Sequence, residues 1–218
     1  VLLDDMDSDM MMAYEAYLRN NGVSPNSSSF YMRNLRAVYN RAVEKGLTSQ
    51  RFPFKHVYTG VDKTVKRAVP LKVIKRIKEM DFSMNPTFDF ARDMFLISFY
   101  TRGMSFVDMA YLRKKDLQNG VLSYRRRKTG QQLFIKWEKC MQEIVDKYDT
   151  SQSNYLLPII KPFSDIDERK QYIYAAHNIN RCLKIIGKEL GLSVSLTLYV
   201  ARHAWASIAK SKNVPLSV

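Results

Sequence analysis

The chain has 218 residues, of which 46% are hydrophobic and 26% charged, a composition typical of a folded globular protein. No apolar run reaches the roughly 20 residues that a membrane span needs, and the N-terminus lacks a signal-peptide pattern, so we expect a cytoplasmic protein without a membrane partner. The two cysteines, Cys140 and Cys182, favour neither a disulfide framework nor a zinc site; we expect core cysteines and no metal or cofactor.

The charge of the chain indicates an anionic partner. Thirty-five Lys and Arg residues against 21 Asp and Glu residues give a formal net charge of +14. Such a surplus is self-repulsive unless a polyanion neutralises it, and the release of counterions from DNA favours the binding of cationic side chains. Double-stranded DNA is therefore the expected partner. A solvated basic surface and attraction to acidic lipid are the alternatives that charge alone leaves open.

The first part of the chain predicts a small helical domain over residues 1–61. A first helix is capped by Asp7 or Ser8, and its apolar face is predicted to contain Met10, Ala13, Tyr14, Tyr17 and Leu18. A second helix starts at the pair Ser24-Pro25, and its inner face is predicted to contain Tyr31, Leu35, Val38 and Ala42. Four cations of this helix either contact DNA phosphates or form a solvated face: Arg33, Arg36, Arg41 and Lys45.

The helical period is lost between residues 48 and 69, which predicts a basic linker over residues 62–69 and a second domain over residues 70–218. Residues 88–100 are apolar on nearly every side, as in a helix buried in a core. Asn119-Gly120 is typical of a hairpin turn. Two strands are predicted at residues 121–127 and 133–137, and later helices at residues 138–148, 167–190 and 197–210. The expected fold class is mainly α with a small antiparallel β-sheet.

Three segments place arginine or lysine beside a turn or at a helix start: Tyr100–Asp108, Tyr124–Gln132 and Leu196–Trp205. In order and spacing these segments resemble the catalytic signatures of the tyrosine recombinases, the phage integrase family. Residues 10–55 are similar to the helical core-binding domain of that family, and residues 70–218 to the first part of its catalytic domain. The resemblance implies a site-specific recombinase of a phage or mobile element that acts as a homo-tetramer on DNA. Such enzymes cut and rejoin strands through a 3′-phosphotyrosyl intermediate without metal or ATP.

The chemistry of phosphoryl transfer fits the residue types in these segments. An arginine fork binds two phosphate oxygens and keeps its proton, and a lysine can protonate the departing oxygen. The resemblance assigns the second catalytic arginine to Arg202 and the catalytic lysine to Lys128. The alternatives are an ordinary surface arginine and a basic hairpin that grips the DNA backbone through its preceding residues, Arg125, Arg126 and Arg127.

Two positions depart from the family motif. Matching Asp108 to its acidic residue places Ser105 where the family has its first catalytic arginine. We hypothesise that Arg102 reaches the phosphate from the preceding turn, while Ser105 and Asp108 form a capping box. Tyr199 stands where the family generally has histidine; its phenol either donates to a phosphate oxygen or packs. His203 has three possible roles: it contacts substrate, it positions the neighbouring Arg202, or it is a packing residue.

The end of the sequence bears on activity. In the family the nucleophilic tyrosine lies well after the second arginine, whereas no tyrosine follows Tyr199 here. We therefore expect a catalytic domain truncated at its C-terminus, in a monomeric fragment that binds DNA without cleaving it alone. A DNA-binding regulator or architectural protein derived from a recombinase is the alternative function, and topoisomerase-like relaxation is a third. A Mg²⁺-dependent nuclease would need clustered carboxylates, which the sequence does not present.

Overall fold

The computed structural model describes residues 2–64 and 67–214. These residues form eight α-helices and one three-stranded sheet: α1 Ser8–Asn20, α2 Pro25–Glu44, α3 Leu71–Glu79, α4 Pro86–Tyr100, α5 Phe106–Ala110, β1 Leu117–Gln118, β2 Val121–Arg125, β3 Gln132–Lys136, α6 Lys139–Val145, α7 Glu168–Glu189 and α8 Leu198–Ser211. The predicted fold class is confirmed. The chain divides into two compact units between residues 65 and 66. Those two residues, which belong to the predicted linker, lie outside the described part of the chain.

The smaller unit is built on α1 and α2. The Asp7 carboxylate accepts the amide hydrogen of Met10 at 2.8 Å and caps α1. Ser24 caps α2, and Pro25 occupies its first position, where a missing amide hydrogen costs nothing. Residues 49–60 form no helix or strand, in agreement with their lost helical period. Two of their apolar side chains, Phe54 and Val57, nevertheless complete the core of this unit. They pack in one cluster with five buried side chains from earlier in the chain: Met6, Met11, Leu18, Met32 and Tyr39.

The buried face of α2 differs from the predicted one. Tyr31 and Val38, expected to point inward, are exposed, whereas Met32 and Tyr39 are fully buried. Ala42 is buried and Leu35 packs against the core, as predicted, so the prediction was wrong for Tyr31 and Val38 only. The Tyr39 hydroxyl donates to the carbonyl of Ser49 at 2.8 Å, so the segment that follows the helix selects this face.

The predicted face of α1 also needs correction. Tyr17 is exposed, and the buried positions include Glu15. The Glu15 carboxylate accepts hydrogen bonds from the Arg19 guanidinium at 3.0 Å and from the backbone amide of Tyr58 at 3.2 Å. These bonds offset the cost of burying a charge, and a hydrophobic pattern cannot reveal them.

Helix α4 is the centre of the larger unit. It packs against α3, α6, α7 and α8, and most of its length is buried, as its apolar sequence predicted. Its C-terminal end leads directly into the turn that contains Arg102. Because α8 packs against the same helix, α4 places two of the three motif segments side by side.

One charge is buried in this central helix. Asp93 forms a salt bridge with Arg92 at 3.0 Å and with Lys147 at 2.5 Å, and it accepts a hydrogen bond from the Tyr148 hydroxyl at 2.8 Å. Asp89 pairs with the same two cations. Burial and the neighbouring Asp93 carboxylate raise the pKa of the Tyr148 phenol. This ionic cluster joins α4 to the residues that follow α6.

The sheet is antiparallel in the order β1-β2-β3. Asn119 and Gly120 both have positive φ angles, 51° and 72°, as a two-residue turn of the predicted type requires. Strand β2 ends at Arg125, two residues earlier than predicted. The next residues close a turn in which the Arg126 amide donates to the Gln131 carbonyl and the Gly130 amide donates to the Arg126 carbonyl, both at 2.8 Å.

Three observations bear on the expectations from composition. Among the described residues, no helix combines the length and apolar character needed to cross a bilayer. Within residues 2–64 and 67–214, no three His, Cys, Asp or Glu side chains are grouped as metal ligands. Both cysteines are free, and Cys182 is buried while Cys140 is half-buried.

Candidate active site

The turn after α4 holds Arg102 in an uncommon backbone conformation. Arg102 has a φ of 60° and Gly103 a φ of 74°, so two successive residues lie in the left-handed region. This conformation costs a non-glycine residue about 1–2 kcal/mol. The turn is held by the Gly103 amide, which donates to the Ser98 carbonyl at 2.7 Å, and by the Ser98 hydroxyl, which donates to the Met104 carbonyl at 2.8 Å. Strain of this kind clusters at functional sites.

Helix α8 crosses this turn in close contact. A Cβ atom on residue 103 would lie 2.7 Å from the Cα of Arg202, so the crossing requires glycine. The Nε of Arg202 donates to the Gly103 carbonyl at 2.5 Å and fixes the orientation of the guanidinium group. Leu198 and Ala201 are buried and hold the helix against the core.

Arg102 and Arg202 line one cleft of about 640 Å³. Its walls are the Arg102 turn, the middle of α8 and the β2–β3 hairpin, from which Arg126 contributes a third arginine. No aspartate or glutamate is among the described residues that line the cleft. None of the three arginines forms a salt bridge with any part of the chain that the structure describes. Such a concentration of unneutralised guanidinium groups suits a phosphate.

Asp108 ties the hairpin to α5. Ser105 caps α5, accepting the Asp108 amide hydrogen at 3.4 Å, but the reciprocal half of the predicted capping box is absent from this described helix start. The Asp108 carboxylate instead accepts from the Ser105 hydroxyl at 2.5 Å and from the Arg127 amide at 3.0 Å. Asp108 is only 4% exposed. Because the turn that contains Arg127 is bonded to this buried carboxylate, its position is fixed relative to α5.

The remaining hairpin cations lie away from the cleft. Arg125 and Lys128 are exposed, and neither is among the residues that line it. The Arg127 guanidinium lies over the Tyr111 ring, 4.0 Å from its centroid. Lys128 stands at the tip of the hairpin whose inner face forms one wall of the cleft.

Tyr199 and His203 form a pair on another face of α8. Their rings meet edge to face with centroids 4.5 Å apart, and Tyr199 is 58% exposed. Neither residue is among those that line the cleft with Arg202. The contact fits the packing alternative for His203 as well as a role in positioning its neighbour.

The four cations predicted to bind DNA from the smaller unit are all exposed on or just after α2: Arg33, Arg36, Arg41 and Lys45. Arg36 donates to the Thr59 hydroxyl at 3.4 Å.

Sequence reasoning did not single out Arg126 and Trp205 as residues of the cleft. For Arg126 the signal was present: strand alternation places it on the same side as Leu122 and Tyr124, which are both buried. Trp205 lines the cleft three residues after Arg202, a spacing that places both on one face of a helix.

Tyr124 is a buried residue of the cleft, and its phenol should make the folded chain less stable at alkaline pH. Burial raises its pKa to about 12; Asp108 adds to this effect, whereas the guanidinium groups of Arg202 and Arg126 oppose it. Above the ordinary pKa of 10.0 the unfolded chain loses the phenolic proton, which the folded chain keeps until about pH 12. The resulting stabilisation is complete below pH 10 and is lost as the pH rises through 12.

We therefore expect the Tyr124→Phe variant to lose less stability than the unsubstituted chain between about pH 8 and about pH 11, measured by urea unfolding. Tyr174→Phe, which removes an exposed phenol from α7, is the matched control. An identical decline for Tyr124→Phe and the control would contradict the assignment.

Comparison with known proteins agrees with this architecture. Residues 1–57 match the model of the phage integrase SAM-like domain. A lambda integrase dimer bound to a COC′ core site superposes with a TM-score of 0.68 at 15% identity, over 97% of this chain and 74% of that one. The Tn1549 transposon integrase in complex with circular intermediate DNA gives 0.67 at 15% identity, over 100% and 76%. A lambda integrase tetramer bound to a Holliday junction gives 0.66 at 14% identity, over 98% and 62%.

This chain thus spans about three fifths to three quarters of those integrases. No curated protein matches it. Residues 1–57 are therefore similar to a phage integrase SAM-like domain, and the chain as a whole has the fold of the lambda and Tn1549 integrases, as the motif resemblance predicted.

Proposed function

We propose that the protein is a tyrosine-type DNA recombinase that integrates a mobile element. The observation that carries the proposal is the meeting of Arg102 and Arg202, 100 residues apart in sequence, in one cleft without a carboxylate among its described lining residues. The two arginines would bind the phosphate oxygens and stabilise the charge that develops during transfer. Double-stranded DNA is the proposed substrate, in keeping with the net charge of +14 and with the DNA-bound integrases of the same fold.

In the proposed reaction a tyrosine hydroxyl loses its proton and attacks the phosphorus. A 3′-phosphotyrosyl bond forms as the bond to the 5′ oxygen breaks, and that oxygen takes a proton. Lys128 is the proposed donor, because it stands at the tip of the hairpin that walls the cleft, and closure of the tip on DNA would bring it to the phosphate. Rejoining reverses these steps on a new partner strand.

The residues of the cleft indicate what the 218-residue chain does alone. Its one tyrosine among the described lining residues is Tyr124, which is buried, with a pKa raised to about 12, and is therefore a poor nucleophile. We expect the chain to bind DNA as a monomer without joining to it covalently. A tetramer, the form in which lambda integrase was seen on a Holliday junction, is proposed for the complete protein on two DNA sites.

Binding is tested first. The 218-residue chain is used to select duplexes from a randomised library, and its affinity for the selected duplex is measured in a salt series. The logarithm of the binding constant should fall with log salt by about 0.9 for each phosphate contact. Arg202→Ala should lower this slope by about one contact, and a slope near zero for the unsubstituted chain would contradict DNA binding.

Cleavage is tested with the complete gene product on the selected duplex carrying a nick, which traps the covalent intermediate. We expect an adduct that survives denaturation, and a yield on the order of 10²–10³-fold lower for Arg202→Ala. Lys136→Ala, which removes a cation from the outer side of β3, serves as the control with an unchanged yield. Binding without any adduct would favour the alternative function, a DNA-binding regulator or architectural protein derived from a recombinase.

A further inference from the structure

We infer that Arg126 is a third phosphate-binding arginine of the site, in addition to Arg102 and Arg202. The inference rests on the proposed function for its chemistry. Its structural basis is independent of that function: Arg126 lines the same cleft as Arg102 and Arg202, whereas Ser105 does not.

The backbone fixes Arg126 at the edge of the cleft. Leu122 and Tyr124 are buried on one side of β2, and Arg126, the first residue after the strand, continues this alternation and is half-buried. The amide of Arg126 donates to the Gln131 carbonyl and its carbonyl accepts from the Gly130 amide, both at 2.8 Å. Both backbone polar groups of Arg126 thus form hydrogen bonds that close the turn. A change in the register of the hairpin would break these two bonds.

The two neighbouring arginines are directed elsewhere. Arg125 is exposed on the opposite side of the sheet, and the Arg127 guanidinium is stacked on Tyr111. The Arg127 amide is held by the buried carboxylate of Asp108, which also binds the Ser105 hydroxyl. Ser105 therefore contributes to the site through this connection, as a residue that positions the hairpin, and not as a ligand of the phosphate.

The charge of the cleft points to an anion bound by all three guanidinium groups. Like charges that line one cleft repel one another, and the described lining residues offer no carboxylate to offset them. The other polar groups of the wall are neutral, among them Thr101, Gln131 and Gln132. A phosphate accepts paired hydrogen bonds from several planar forks at once and would relieve the repulsion.

The test uses Trp205, which lies on the cleft wall. In a Trp137→Phe background it is the single tryptophan of the chain. Iodide quenches tryptophan by contact and, as an anion, accumulates in a cationic cleft. We expect Arg126→Ala to lower the iodide quenching constant about twofold to threefold. Arg125→Ala, which removes the same charge from an exposed residue that does not line the cleft, should leave the constant nearly unchanged. Inorganic phosphate should protect Trp205 in the background protein and protect it less with Arg126→Ala.

Two controls keep the result interpretable. Acrylamide, a neutral quencher, should report the same access to Trp205 in every variant. Arg126→Lys, which keeps the charge on a flexible stem, should restore iodide quenching and guard against a folding defect. Equal losses for Arg126→Ala and Arg125→Ala would overturn the inference.

The complete gene product then separates this inference from the proposed function. Adduct formation per bound duplex should fall with Arg126→Ala and should not be restored by Arg126→Lys, because an ammonium group lacks the planar fork. An adduct yield unaffected by Arg126→Ala would refute the catalytic role of Arg126. If the unsubstituted protein forms no adduct but the quenching results hold, the recombinase function fails and Arg126 remains an anion ligand.

Discussion

Replacing Gly103 by alanine is expected to destabilise the larger unit by roughly 2–5 kcal/mol. The left-handed backbone costs an alanine about 1–2 kcal/mol, and overpacking against a neighbouring helix typically costs about 1–3 kcal/mol more. The added Cβ would lie 2.7 Å from the Cα of Arg202, a backbone atom that cannot move without shifting α8. The measurement is urea unfolding followed by tryptophan fluorescence, since both tryptophans, Trp137 and Trp205, belong to this unit.

Gly130→Ala is the matched control for this experiment. Gly130 has a φ of 69°, but a Cβ atom added to it would meet no described atom within 4 Å, so this variant isolates the backbone cost from the steric one. We expect the control to lose about 1–2 kcal/mol. If both variants lost the same stability, the contact between α8 and the turn would not be close enough to exclude a Cβ atom. The Gly103 variant should also bind duplex DNA more weakly, because the displaced helix carries Arg202.

Removing the Asp93 carboxylate is expected to cost about 3 kcal/mol of stability, at the lower end of the range for breaking a buried ion pair. In the Asp93→Ala variant, Arg92, whose side chain is 13% exposed, and Lys147 keep Asp89 as their remaining carboxylate partner. It also leaves the Tyr148 hydroxyl without its acceptor. Equilibrium unfolding in urea at neutral pH measures the effect.

The comparison for Asp93 is an exposed pair in the same unit. Lys139 and Glu143 lie 3.7 Å apart with side chains that are 92% and 58% exposed. Glu143→Ala should change stability by less than about 1 kcal/mol, because solvent screens such pairs. A loss for Asp93→Ala as small as that for Glu143→Ala would show that the cluster does not hold α4 to the residues after α6.

Local patterns were sufficient for most of the larger unit. The long apolar run of α4, the Asn119-Gly120 turn and the helical spacing of α8 each contain their own signal, and the structure has these elements within a few residues of the predicted bounds. The inner face of α2 was mispredicted because its partner is an irregular segment. Ser29, which a hydrophobic pattern would place outside, is buried and donates to the Gly60 carbonyl at 2.5 Å. The hydrophobic pattern of one helix cannot predict which of its faces packs against an irregular segment.

The sequence predicted individual residues of the candidate site, but not how the fold brings them together. The motifs identified Arg102 and Arg202, and the structure places both on one cleft. They did not single out Arg126 from its two neighbouring arginines, because that choice needs the strand alternation, which places Arg126 on the same side as Tyr124. The contact of Gly103 with Arg202 joins residues 99 positions apart, and no local pattern records a contact of that range.

The bond from Arg202 Nε to the Gly103 carbonyl has a consequence for what can replace this arginine. A guanidinium group has two edges that can each present a pair of donors, and the carbonyl occupies the one that contains Nε. A ligand in the cleft would therefore bind to the remaining pair of terminal nitrogens. The same side chain would then both hold the turn in place and bind the ligand. A lysine would have to divide its single ammonium centre between these two tasks.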